Sequence, residues 1–189
     1  MSKLFRTTLW ILSAIGLIAF FFQTLSTFLI SPLMGLLSLL IAAVLVALVI
    51  YLLQRSPMWA RPARLWALLA FLWGGGVAVA LALISAGPVM QLAIGSGWVD
   101  AMMSWSGAYP EEISKATGVI FVLMSFRQLN RPWHGWMVGA VVGLGFEACE
   151  NILYGAMGAT MHPDSDIQGL FEMWGLRLIA GPGLHVLLT

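Results

Sequence analysis

Apolar stretches long enough to cross a bilayer alternate with short polar segments along the whole chain. A membrane-spanning α-helix needs about 20 mostly apolar residues, and six stretches meet or approach this length. Proline, glycine and charged residues mark the breaks between them. The predicted spans are Thr7–Ile30, Leu33–Leu53, Leu65–Ala86, Gly107–Phe126, Trp133–Thr160 and a sixth that begins near Leu170.

Composition supports this class of protein. The chain has 189 residues, of which 60% are hydrophobic and 9% charged, with a mean hydropathy of +0.93. A water-soluble domain of this length cannot bury so much apolar surface. We therefore predict an all-α, polytopic transmembrane helix bundle that forms a single integral membrane domain. Three spans and a linker occupy 1–106, the remaining spans occupy 107–189, and we expect further helices beyond the apolar run HVLLT at the end.

A glycine triplet and an aromatic-rich segment each add a feature to the predicted spans. Gly74–Gly76 lie inside the third span, where small residues allow close helix packing or a flexible point. The segment 87–110 is predicted to be a linker, because it contains Asp100 and no Lys or Arg. Its aromatic residues are typical of a belt at the membrane interface.

The basic residues predict an orientation. With the six spans placed as above, all the basic residues outside the spans fall on one side of the membrane. The loops on the opposite side contain only acidic charges. The positive-inside rule then places the N-terminus in the cytoplasm of a cell membrane. The formal net charge is +1, and we expect no nucleic-acid partner. The basic set is Lys3, Arg6, Arg55, Arg61, Arg64, Arg127 and Arg131, and the acidic loop residues are Asp100, Asp164 and Asp166.

Several ionisable residues fall inside the last three predicted spans. A charge at the bilayer centre costs about 2.5–3.5 kcal/mol on an insertion scale, so such groups must meet one another around a polar cavity. They are Glu111, Glu112 and Lys115 on the fourth span, Glu147 and Glu150 on the fifth, and Arg177 and His185 on the sixth.

Helical spacing allows these groups to meet. Lys115 can pair with Glu111 at i,i+4 or with Glu112 at i,i+3. On the fifth span Glu147, Glu150, Asn151 and Tyr154 share one face. We expect Arg177 to pair with a carboxylate. In GPGLH at 181–185, the proline removes a helix hydrogen bond just before His185, and such a break is tolerated in a membrane where it lines a cavity.

These residue types permit two forms of hydrolysis. In the first, a glutamate acts as general base toward water, and Asn151 or His185 stabilises the oxyanion. In the second, Glu147, Glu150 and His185 bind a divalent metal such as zinc, which activates the water. The HExxH pattern of many zinc proteases is absent from the sequence. Both mechanisms remain open from the residues alone.

Three motifs resemble the PrsW-type intramembrane proteases, which are similar to the CAAX prenyl protease and bacteriocin-immunity superfamily. EEISK at 111–115 matches EExxK, GFEACENILY at 145–154 matches FExxEN, and RLIAGPGLHVLLT at 177–189 supplies the later histidine with Thr189 four residues on. The second motif has glutamate where the superfamily usually has histidine.

The resemblance implies cleavage of a peptide bond of a membrane-protein substrate in or beside the bilayer. In the family's namesake this is the first cut in an anti-sigma factor, so a single-pass, anti-sigma-like substrate is implied here. By analogy Glu111 or Glu112 activates the water, and Glu147, Glu150 and His185 complete the site. Lys115, Asn151 and Arg177 are expected to support it. The depths of the charged residues along their predicted spans place the expected site in the outer half of the bilayer.

A proton- or ion-coupled transporter or sensor is the alternative, in which the buried Glu, Lys, Arg and His form a relay. Many transporters are built from inverted repeats. Here all the intramembrane charges fall in the last three predicted spans, which disfavours this alternative.

Overall fold

The computed structural model describes residues 3–62 and 64–180, and the regular structure in these residues is entirely helical. The bounds of the elements follow the apolar stretches of the sequence. In chain order they are α1 (Lys3–Ile30), α2 (Pro32–Arg55), α3 (Arg64–Leu72), a π-helical segment (Trp73–Ala78), α4 (Val79–Gly95), a 3₁₀ turn (Val99–Ala101), α5 (Met102–Ser125), α6 (Trp133–Met161) and α7 (Asp166–Ala180).

The helices have the length and composition of a membrane protein. Among the described residues, four are long and apolar enough to cross a bilayer: α1, α2, the continuous Leu65–Gly95 and α6. Helix α5 has 24 residues but includes three charged ones, and α7 is described over 15 residues. Both pack against α6. The prediction of an all-α polytopic bundle is confirmed.

The predicted linker at 87–110 is wrong, because most of it is helical. Helix α4 continues through Pro88 to Gly95, and α5 begins at Met102. Membrane helices tolerate an internal proline where neighbouring groups satisfy the freed backbone, so Pro88 does not end α4. The chain reverses between the two helices, where Gly97 has a φ of +77° that favours glycine. Trp98 and Trp105 meet here edge to face, with ring centroids 4.9 Å apart.

Helix α7 also begins earlier than expected, at Asp166 rather than near Leu170. Ser165 precedes it, and its hydroxyl accepts a hydrogen bond from the backbone N–H of Gln168 at 3.4 Å, the arrangement of an N-cap. The connections α4–α5 and α6–α7 lie on one face of the bundle, opposite the start of α1. We call this face, marked by residues 96–101 and 162–165, the outer face, after the orientation predicted from the basic residues.

Helix α6 is the centre of the bundle. It contacts α1, α2, α3, α5, α7 and the π-helical segment, and nearly every residue from Met137 to Cys149 is buried. Helices α1 and α2 instead expose large apolar side chains such as Phe21, Phe22 and Leu48, as expected of surfaces that face lipid. The helix that bears the second motif is therefore enclosed by protein.

The glycine triplet lies where helices of the described residues pack backbone against backbone. A Cβ on Gly74 would overlap the carbonyl oxygen of Val142 and lie 3.0 Å from the backbone nitrogen of Phe146. A Cβ on Gly76 would overlap the backbone of Gly16. The close-packing interpretation of the triplet is confirmed, and the backbone there is a π-helix, a form that often marks functional sites. The π-helical segment thus sets the position of α6 just before Glu147.

Candidate functional site

The first part of the site is an ion pair on α5. Lys115 Nζ lies 2.5 Å from Glu112 Oε1, at i,i+3. The lysine side chain is fully buried, whereas that of Glu112 is 45% exposed. The ammonium group also lies over the ring of Phe146 on α6, 4.7 Å from its centroid, within the range of a cation–π contact. The expected neutralisation of one glutamate by Lys115 is confirmed for Glu112.

Hydrogen bonds to the π-helical segment fix this part of α5. Trp73 Nε1 donates to the backbone carbonyl of Ser114 at 3.0 Å, and Ser114 Oγ donates to the carbonyl of Ala78 at 3.2 Å. Ser114 Oγ also lies 2.9 Å from the carbonyl oxygen of Glu111, so its single hydroxyl hydrogen is shared between the two carbonyls. The residue next to Lys115 is therefore tied to the segment that also positions α6.

The second part of the site joins α6 to α7 through Arg177. Its Nη2 donates to Glu150 Oε2 at 3.0 Å, and its Nε donates to Asn151 Oδ1 at 2.6 Å. The guanidinium lies over the ring of Tyr154, 4.7 Å from the centroid. The expectation that Arg177 pairs with a carboxylate is confirmed, and three residues of the predicted α6 face meet the same guanidinium.

The remaining glutamates lie between these two groups. Glu147 is buried, with 4% of its surface exposed, and it lies one turn before Glu150 and Asn151 on the same face of α6. Glu111 of α5 lies within electrostatic reach of Tyr154, as does Glu150. Charged residues of α5, α6 and α7 therefore approach one region along α6.

Helix geometry gives these residues similar depths. At 1.5 Å per residue, Glu111 lies about 14 Å from the outer end of α5 and Arg177 about 16 Å from that of α7. On α6, Glu150 lies about 16 Å and Glu147 about 21 Å from the outer end. Because α6 has 29 residues, Glu147 is at its middle, and the other charges lie slightly toward the outer face.

A buried hydrogen-bond chain supports this region from the other side of α6. Trp174 Nε1 on α7 donates to Ser38 Oγ on α2 at 3.0 Å. Ser38 Oγ in turn donates to the backbone carbonyls of Asn151 at 3.2 Å and Ile152 at 3.0 Å. Helices α2, α6 and α7 are thus joined at the level of Asn151, one turn from Arg177.

Sequence reasoning did not identify several of these contacts. Ser38 and Trp73 lie in apolar runs, and their partners are 113 and 41 residues away along the chain, so no local pattern identifies them. Phe146 could have been identified, since it belongs to the second motif.

Two cavities among the described residues lie away from this site. They are a 610 Å³ apolar groove between α1 and α2 and a 290 Å³ hollow beside His162 and Glu172.

The metal alternative depends on residues beyond those described. Within 3–62 and 64–180, no three His, Cys, Asp or Glu residues come together as metal ligands. A catalytic zinc takes three protein ligands, and Glu150 is held by Arg177. The described residues therefore do not fit a metal centre by themselves. His185, the third predicted ligand, lies outside them, as do Pro182 and Thr189.

Comparison with known protein families gives a match over most of the chain. The family model described as PrsW family intramembrane metalloprotease matches residues 62–189, which contain α3 to α7 and all three sequence motifs. No curated protein and no solved structure matches the chain.

Proposed function

Because this chain belongs to the PrsW family of intramembrane metalloproteases, we propose that it hydrolyses a peptide bond of a membrane-protein substrate within or near the outer half of the bilayer. Its class is that of an intramembrane protease and a multi-pass membrane protein. The observation that supports the proposed location is the shared depth of Glu111, Glu147 and Arg177, each on a different helix of the bundle.

Glu111 is the proposed general base. Glu112 is paired with the fully buried Lys115, so its charge is compensated within α5. Glu111 interacts electrostatically with Tyr154, as do Glu150 and Arg177. In the proposed reaction Glu111 takes a proton from water as the oxygen attacks the scissile carbonyl carbon. It then delivers that proton to the leaving amide nitrogen as the carbon–nitrogen bond breaks.

The other motif residues complete the proposed site. The pair of Glu112 and Lys115 holds α5 against Phe146 and so fixes the position of Glu111. Glu147 and Glu150 supply further carboxylates on α6, and His185 is the proposed third contribution. In the metal mechanism Glu147, Glu150 and His185 would hold the ion, which would supply activation of the water.

A single-pass membrane protein similar to an anti-sigma factor is the proposed substrate. The test uses the purified protein in liposomes with such a substrate, and mass spectrometry of the products. We expect one major cut, within the substrate's transmembrane segment or just outside it on the outer side. An intact substrate together with a pH-driven ion flux would overturn the proposal and indicate a transporter. Loss of cleavage with a chelator, restored by zinc, would assign the metal mechanism.

The proposed orientation has the N-terminus in the cytoplasm of the cell membrane. Cys149 is the single cysteine and is buried, so introduced cysteines can be labelled without background. We expect a membrane-impermeant maleimide added to intact cells to label Asp100→Cys and Asp164→Cys and to leave Arg131→Cys unlabelled until the cells are opened. The reverse pattern would invert the topology and move the proposed cleavage to the cytoplasmic half.

A further inference from the structure

We propose that Arg177 is a positioning residue that orients the side-chain amide of Asn151, so that its amino group donates a hydrogen bond to the oxyanion formed during cleavage. The proposal rests on the proposed function. It is based on the contacts between Arg177 and α6, and on which atoms of Arg177 and Asn151 can donate or accept hydrogen bonds.

The direction of the Asn151 amide follows from hydrogen-bonding chemistry. Arginine carries only donors, so the atom of Asn151 that lies 2.6 Å from Arg177 Nε must be the carbonyl oxygen Oδ1. If the amide turned over, its amino group would face the guanidinium, donor against donor. Arg177 therefore holds the Nδ2 group on the side away from itself.

In the proposal the Nδ2 group lies toward Glu147. Side chains of a helix lean toward its N-terminus and lie over the residue four positions earlier, which for Asn151 is Glu147. A neutral N–H donor next to the reacting groups stabilises a developing oxyanion, and it acts best when its orientation is fixed before the reaction. Asn151 is only 2% exposed, so water competes little for the donor.

The backbone around Asn151 is fixed as well. Its carbonyl accepts a hydrogen bond from Ser38, which is bonded in turn by Trp174, three residues before Arg177 on α7. Arg177 also contacts Glu150 and lies over Tyr154, so its own guanidinium cannot rotate without losing both contacts. Asn151 is therefore held at its main chain by Ser38 of α2, which Trp174 of α7 supports, and at its side chain by Arg177 of α7.

A simpler role for Arg177 is to neutralise Glu150, and lysine separates the two roles. Lysine in place of Arg177 keeps the positive charge near Glu150, but it lacks the planar fork that reaches Glu150 and Asn151 together. Asn151→Asp is the complementary change. It retains an acceptor for Arg177 and the size of the side chain, and it removes the N–H donor.

The experiment measures kcat and KM of these variants in liposomes with the single-pass substrate, and thermal unfolding of each. We expect Asn151→Asp and Asn151→Ala to lower kcat by about 10²–10³-fold with KM near that of the wild type. Arg177→Lys and Arg177→Gln should lower kcat by about 10–10²-fold, because a misdirected donor still populates the productive orientation. Arg177→Gln combined with Asn151→Ala should be no slower than Asn151→Ala alone.

Three results would overturn the proposed positioning role of Arg177. They are a wild-type kcat in Arg177→Lys, a wild-type kcat in Asn151→Ala, or losses of kcat that multiply in the double variant. Asn151→Asp keeps the proposal falsifiable if Arg177 variants fail to fold, because it preserves the contact with Arg177. A wild-type protein that cleaves no substrate would instead contradict the proposed function, and the two failures are therefore distinct.

Discussion

Replacing Glu111 by Gln is expected to lower the rate of peptide cleavage by about 10²–10⁴-fold, the usual contribution of a general base. Glutamine has nearly the same size and keeps a hydrogen-bonding carbonyl, but it cannot take a proton from water. Glu111 is only partly buried, so water can reach the amide that replaces its carboxylate. The measurement is kcat for the single-pass substrate in liposomes, with thermal unfolding in detergent as the check on folding.

Two other glutamates provide controls for this result. Glu112→Gln removes the ion pair with the fully buried Lys115, so we expect a loss of stability of about 1–3 kcal/mol together with a smaller loss of rate. Glu172→Gln, at an exposed position on α7, should cleave at the wild-type rate. Equal activity of Glu111→Gln and Glu172→Gln would remove Glu111 from the mechanism.

The sequence predicted the helical class and the charged set because both depend on local composition. Apolar length defines α1, α2 and α6, and the 3–4 spacing of Glu147, Glu150 and Asn151 places them on one face whatever surrounds them. The end of the third span could not be predicted in the same way. In the sequence alone, Pro88 and the nearby glycines indicate the end of a helix. In the structure, packing in the bundle keeps α4 helical to Gly95.

The pairings within the site depend on tertiary contacts and lay beyond sequence reasoning. Two partners for Lys115 are compatible with its spacing, and the structure shows the contact with Glu112. Arg177 could have met any carboxylate at its depth, and its contact with the Asn151 amide is set by how α7 crosses α6. That crossing depends on Gly158 and Gly169, since a Cβ on Gly158 would lie 2.7 Å from the Gly169 carbonyl oxygen.

Gly145→Ala is expected to separate the helices that hold the site. A Cβ at Gly145 would overlap the carbonyl oxygen of Phe71 and lie 3.0 Å from the backbone nitrogen of Gly75. Backbone atoms of two helices cannot yield as a flexible side chain can, so the helices must move apart. We expect a loss of about 1–3 kcal/mol or more of stability. Cleavage should fall by about 10²-fold, because Glu147 lies two residues away and a displacement of about 1 Å is costly.

Glycine-to-alanine substitutions at positions with free space around the new Cβ are the matched controls. A Cβ at Gly87 on α4 or Gly107 on α5 has nothing within 4 Å, and alanine favours a helix over glycine by about 1 kcal/mol. Gly87→Ala and Gly107→Ala should therefore unfold at or above the wild-type temperature and retain full activity. If Gly145→Ala unfolded at the same temperature as these controls, the backbone contact between α6 and the α3–π-helical segment would be refuted. The position of Glu147 would then require another cause.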